Sequence, residues 1–109
     1  MYQFVNLMSQ DITIVDNSGK IVAVIKTSGN IARVETKTVK TGEINGIPVT
    51  MTEFGKLMGL PEPKDDTILI VSTLVAQACK DREDVFIPNE PLRDEQGNCI
   101  GYKSLGRIE

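Results

Sequence analysis

Short stretches of alternating polar and apolar residues, broken every ten residues or so by turn-forming clusters, constrain this chain more than any other feature. Asp11-Ile12-Thr13-Ile14-Val15 alternates as a half-buried strand must, because successive side chains of a strand point to opposite faces. Asp16-Asn17-Ser18-Gly19-Lys20 is a turn cluster, and the β-branched, apolar run from Ile21 to Lys26 reads as the returning strand of a hairpin. After a second turn at Thr27-Ser28-Gly29-Asn30, Arg33, Glu35 and Lys37 fall on one face of a strand over residues 31–39, with Ala32, Val34, Thr36 and Thr38 on the other. Asn45-Gly46 between Ile44 and Ile47 suits a two-residue type I′ turn, which needs positive φ at both central positions. Pro48 has no N–H to give a central strand, so this arm is expected at a sheet edge, continuing over Val49 to Phe54.

The second half keeps the pattern with one interruption. Residues 55–66 read as a punctuated connection, because Gly59, Pro61 and Pro63 break regular structure, while Leu57, Met58 and Leu60 are apolar enough to plug the end of a core, cover a ligand or touch another subunit. Thr67 to Val71 is continuously apolar, as a strand buried on both faces would be. Ser72 then precedes Thr73 to Cys79, whose alanines and Leu74/Ala78 spacing predict one short helix near residues 73–80. Asp84 to Ile87 reads as a short strand stopped by Pro88, Asn89-Glu90-Pro91 as a turn, and Leu92-Arg93-Asp94 with Cys99 to Leu105 as a last hairpin around Glu95-Gln96-Gly97-Asn98. The sum is a mainly β fold at the margin of α+β: a small antiparallel barrel or sandwich with one short helix.

At 109 residues the chain is the length of one globular domain, spanning 1–109. A net charge of −3 argues against a general nucleic-acid binder, which needs a basic field to neutralise phosphates. No apolar run approaches the roughly 20 residues of a membrane helix, and the first residues lack the basic and apolar segments of a signal peptide. The expectation is a cytoplasmic protein that does not span a membrane, with Cys79 and Cys99 as free thiols. The chain has no histidine, which removes Ser-His-Asp triads, Cys-His dyads and histidine metal sites built from its own residues. It has no tryptophan and few other aromatics with which to stack bases.

Several segments together carry a resemblance. They are Val5-Asn6-Leu7, Asp11-Ile12-Thr13-Ile14-Val15, Ser28-Gly29 with Ala32-Arg33-Val34, Gly46-Ile47-Pro48-Val49, Phe54-Gly55 before Gly59-Leu60-Pro61-Glu62-Pro63, Ile70 to Ala78, and Arg93-Asp94-Glu95 before Ser104-Leu105-Gly106-Arg107. The set resembles a family of small uncharacterised proteins of phages, prophages and bacterial chromosomes. The likeness spans nearly the whole chain and is most specific over Ile70 to Ala78. It implies a phage-associated setting and supplies no reaction. Where that family often has Thr-Pro-His after Asn-Leu, this chain has Met8-Ser9-Gln10.

One place in the pattern suits an anion. At Val71-Ser72-Thr73 a buried strand runs into a helix start, where free N–H groups and hydroxyls converge. Ser72 is equally the serine an N-cap requires. Gln77 lies one helical turn after Thr73 on the same face, able to read the edge of a ligand or simply to face solvent. Arg33, Arg82 and Arg93 are the candidate clamps for phosphate or carboxylate. Against those roles stand cross-strand pairing of Arg33 with its charged neighbours, an ion pair of Arg82 with Asp81 or Asp84, and a local pair of Arg93 with Asp94. The acidic run around Asp81, Glu83 and Asp84 lacks EF-hand spacing and reads as a solvated loop.

Three function classes follow. The first is a small-ligand binding protein without catalysis or cofactor, sequestering an anionic, nucleotide-like host immune signal as a homo-oligomer, with Ser72, Thr73, Gln77, Arg33, Arg82 and Arg93 around the ligand. The second is a protein-binding accessory factor, an inhibitor of a host enzyme or a minor particle component. The third is a metal-dependent nucleotide hydrolase, disfavoured by the missing histidine and the dispersed acidic residues.

Overall fold

The computed structural model describes residues 2–108. Eight strands and one helix follow in the order β1 (Gln3–Asn6), β2 (Ile12–Val15), β3 (Ile21–Ile25), β4 (Arg33–Ile44), β5 (Ile47–Met58), β6 (Thr67–Ile70), α1 (Thr73–Ala78), β7 (Val85–Arg93) and β8 (Cys99–Gly106). The protein is therefore mainly β with one short helix, as the alternation predicts. Six strands form one sheet in the order β1-β6-β7-β8-β2-β3, and β4 and β5 form a separate hairpin. The β2/β3, β4/β5 and β7/β8 ladders are antiparallel. The joins of β1 to β6, β6 to β7 and β2 to β8 are parallel, so the main sheet is mixed.

The sheet curls until its two outer strands meet. Asn6 of β1 bridges Thr27, just beyond β3, which brings the arrangement nearer to a barrel than to a sandwich. One buried side chain anchors the seam. The Asn6 amide nitrogen donates to the carbonyls of Gln10 at 2.9 Å and Ile25 at 3.0 Å, and its oxygen accepts from the Met8 N–H at 2.9 Å. Asn6 is 1% exposed, so these bonds satisfy a side-chain amide that water does not reach. Ser28 adds a bond from its N–H and another from its hydroxyl to the Asn6 carbonyl.

The continuous apolar run at 67–71 becomes the buried strand expected of it. β6 lies between β1 and β7, and Leu69, Ile70 and Val71 are all buried. Alternation sends Leu69 and Val71 to the helix side, where they pack with Leu7, Ala32, Val85 and Ile87 against Val75, Ala76 and Cys79 of α1 and its C-cap. Burial raises the Cys79 thiol above its ordinary range, while Cys99 is exposed; both are free.

Four boundaries differ from the alternation pattern. β4 begins at Arg33 and runs on to Ile44 instead of spanning residues 31–39. β1 is an additional strand, too short to show a period, with its ladder to β6 and a single bridge from Asn6 to Thr27. β5 runs on through Gly55 to Met58, because Leu57 stays opposite Val34 and both pack against the core; Gly59, at φ +81°, ends it. Leu57 and Leu60 do plug the core's end, while Met58 stays exposed. β7 passes through Pro88 to Arg93. The Asp84 and Phe86 carbonyls face β6, so alternation turns the Pro88 nitrogen to the same side, and β6 has already ended at Ile70. A proline costs no ladder bond there.

The hairpin β4/β5 stands apart from the sheet as an arm of two 12-residue strands. Its tip is the predicted turn, with Asn45 at φ 50° and Gly46 at φ 79°. The arm stretches the molecule: the radius of gyration is 16.9 Å, against about 13 Å for a compact domain of this length.

Removing the seam's side chain tests this account. Asn6→Ala removes its bonds to the Gln10 and Ile25 carbonyls and to the Met8 N–H, at about 0.5–1.5 kcal/mol each. We expect a loss of about 1.5–4.5 kcal/mol in urea unfolding followed by circular dichroism; a loss under about 1 kcal/mol would show that the seam closes without it.

Candidate functional site

The predicted helix start forms as expected. Ser72 has extended backbone, and its hydroxyl oxygen accepts from the Val75 N–H at 3.5 Å as the N-cap. A hydroxyl has one donor and two acceptor positions, so this long cap bond leaves the Ser72 O–H able to donate to a ligand oxygen. The helix is only six residues long, so its dipole adds little, and a site here depends on side chains from other elements.

Arg33, the first residue of β4, supplies one. Ser72 and Arg33 line the same open cleft of about 280 Å³, walled by Leu7, Met8, Ile31 and Leu74. Two chain paths converge on it. Ala32 is held to the strand's end by a bond from its N–H to the Leu7 carbonyl at 3.0 Å, which sets Arg33 beside the turn after β1. Val71 donates to the Phe86 carbonyl at 2.9 Å, which fixes where β6 hands over to Ser72. Arg33 is exposed, opposes Met58 across the hairpin and makes no ion pair among the described residues. The cross-strand charge pairing considered for it does not form.

The remaining nominated residues are distributed as follows. Gln77 lines an adjoining hollow with Val34, Phe54, Leu74 and Ala78, sharing Val34 and Leu74 with the cleft. Thr73 is exposed at the helix start and lines neither hollow. Arg82 is engaged elsewhere. Its Nε and Nη2 donate to the two Asp84 carboxylate oxygens at 2.9 and 2.8 Å, and Nη2 also donates to the Pro61 carbonyl at 3.0 Å. Arg93 sits at the β7/β8 turn, where it donates to the Gly97 carbonyl at 3.0 Å rather than to Asp94. Seven residues of strand separate it from Phe86, which pairs beside Val71, so it lies roughly 23 Å from the helix start.

Met8, Ser9 and Ile31 also line the cleft, and the residue pattern did not single them out for it. They lie in the loop after β1 and in the segment leading into β4, where nothing in the residue pattern marks a ligand. The acidic run does not assemble: among the described residues no three Cys, Asp or Glu side chains are placed to hold a metal ion. Compared with protein-family models, curated proteins and solved structures, the chain matches none.

The Arg82–Asp84 pair has a pH signature. Bonding to the Arg82 guanidinium, opposed in part by burial, holds the Asp84 carboxyl below its ordinary value of 3.8. A carboxylate depressed in the folded state stabilises the fold above the unfolded pKa and loses that contribution as pH falls through the folded one. The side chains are only 22% and 16% exposed, so the pair is partly shielded from solvent. Asp84→Asn is expected to cost about 1–3 kcal/mol at pH 7, and the gap to the parent should shrink as pH is lowered below the carboxylate range. Melts from pH 7 to pH 2 check this; a gap independent of pH would show that charge is not what Asp84 contributes.

Proposed function

We propose that the protein is a non-catalytic binder of a small anionic, nucleotide-like ligand, held in the cleft between Arg33 and Ser72. The observation that carries this reading is that Arg33, the one nominated arginine near the helix start, lines the same apolar cleft as Ser72 and makes no ion pair among the described residues. One guanidinium and one hydroxyl donor match a single phosphate or carboxylate. Leu7, Met8, Ile31 and Leu74 offer a flat apolar wall to the rest of the ligand. At about 280 Å³ the cleft is at the small end of ligand sites, which run from about 300 to 1,000 Å³, so a mononucleotide-sized ligand fits better than a larger one.

The phage-associated setting implied by the resemblance gives the reading its biological form: sequestration in the host cytoplasm of a nucleotide-derived immune signal. Sequestration asks for a rigid site and no nucleophile, which agrees with Ser72 serving as both cap and donor. A second reading, a protein-binding accessory factor, is favoured by the projecting arm, whose Ile44, Ile47 and Met51 are all more than half exposed. Surfaces of that kind mark association sites in soluble proteins.

The experiment is native mass spectrometry with a panel of linear and cyclic adenine and guanine nucleotides, followed by calorimetry on any that bind. Arg33 is exposed and outside the core, so Arg33→Ala should melt as the parent does and bind at least tenfold more weakly, with Arg33→Lys in between because it keeps charge and loses the bidentate fork. Unchanged affinity in Arg33→Ala would remove the cleft from consideration. A bound nucleotide recovered chemically altered would point to the hydrolase class instead.

A further inference from the structure

Phe54 breaks the alternation of its own strand. Val34 of β4 pairs with Leu57 of β5 and Thr36 pairs with Phe54, so two steps along β4 match three along β5. This bulge turns Phe54 to the face that Val34 and Leu57 share, where strict alternation would put it on the other. Val34 and Leu57 use that face to pack on the core, yet Phe54 is 59% exposed. It lines a hollow of about 220 Å³ with Val34 and with Leu74, Gln77 and Ala78 of α1. Leu74 and Gln77 are three residues apart and so lie on one side of the helix. The side-chain bonds of α1 and its caps belong to Ser72 and Cys79, which leaves the exposed Gln77 amide unpaired among the described residues.

A bulge that leaves a phenylalanine ring more than half exposed does little for the core, and bulges beside sites commonly serve to re-aim a side chain. The hollow adjoins the Arg33–Ser72 cleft, since Val34 and Leu74 line both. From Ser72 to Gln77 is five residues of helix, a rise of roughly 7.5 Å. From Arg33 to Thr36, the partner of Phe54, is three residues of strand, roughly 10 Å. Both spacings suit a phosphate and a base joined by one ribose. We propose that this hollow takes the base of the nucleotide and that the base is adenine, an inference that rests on the anion reading of the cleft. The Phe54 ring supplies a surface on which a base stacks, and Val34 and Leu74 extend it toward the sugar. Gln77 supplies the selectivity. Adenine presents its N7 acceptor beside its N6 amino donor, so the two halves of a carboxamide bond to both; guanine presents two acceptors there, and the carboxamide oxygen finds no donor.

The test is calorimetric titration of the full chain with adenosine monophosphate, guanosine monophosphate and ribose phosphate. Adenosine monophosphate should bind at least about tenfold more tightly than either of the others. Phe54→Ala should lose the gain over ribose phosphate while leaving the affinity for ribose phosphate unchanged, and Phe54→Tyr, which keeps the ring, should retain it. Gln77→Leu should bring the two nucleotides to within about threefold of each other. Both side chains are exposed, so these variants should melt as the parent does. Equal affinity for adenosine monophosphate and ribose phosphate, with both lost in Arg33→Ala, would overturn the base site and leave the anion cleft standing. Binding of none of the three would overturn both. A preference for guanosine monophosphate, or an affinity for adenosine monophosphate indifferent to Phe54→Ala, would also overturn the inference. The parent's own ranking of the three probes decides the matter even if a variant fails to fold.

Discussion

The buried amide of Asn6 is the constraint on which the rest of the molecule depends. An open six-strand sheet has two edges, and here the edges are short strands with little side-chain surface to hold them together. Asn6 joins them by bonding at once to the carbonyls of Gln10 and Ile25 and to the Met8 N–H. An apolar residue of similar size would fill the space but make none of these three bonds. The same bonds fix the path of Leu7, Met8 and Ser9, which form one wall of the cleft. Seam and candidate site are thus set by one side chain.

The core and the site are linked in a second way, through β6. Because Leu69 and Val71 are both spent on the packing under α1, the strand cannot shift register without exposing them, and Ser72 is delivered to a fixed position at its end. Across the cleft, Val34 and Leu57 pack against that same core and so anchor the base of the arm beside the helix. Arg33 is one residue from that anchor. Arg82, by contrast, is partly buried and bonded to Asp84 and to the Pro61 carbonyl, so it ties the Leu60-Pro61 connection to the start of β7. Breaking those bonds to bind an anion would leave Asp84 unpaired, so Arg82 takes the ion-pair role weighed against its clamp role and not the clamp role itself.

What was legible in the residues follows from locality. The β2/β3 hairpin, the Asn45-Gly46 turn, the buried 67–71 strand and the Ser72 cap are each specified by neighbours within a few positions, and each forms. The mixed pairing was not legible, because parallel joins such as β1 to β6 connect segments some sixty residues apart and leave no period in a four-residue strand. The reach of β7 through Pro88 depends on where a different strand stops. For the site, the chemistry of Ser72 and Arg33 was readable, but their convergence was not, since the Ala32 to Leu7 bond that brings them together is long-range. Arg82 and Arg93 show the reverse: the type was right for an anion, and local partners had already taken both.

The arm poses a problem of stability that the sheet does not solve. A two-stranded ribbon is marginal in water unless one of its faces is covered. At its base that cover is α1 and the core, through Val34 and Leu57. Beyond Lys37 and Glu53 the protein offers nothing, yet the ribbon continues to Ile44 and Ile47 with apolar residues on one side and threonines on the other. A primed turn and a single ion pair contribute too little to hold that length by themselves. The support for the arm is therefore concentrated at its base, where Val34 and Leu57 pack on the core, and the distal ribbon is the part of the fold with the fewest buried contacts.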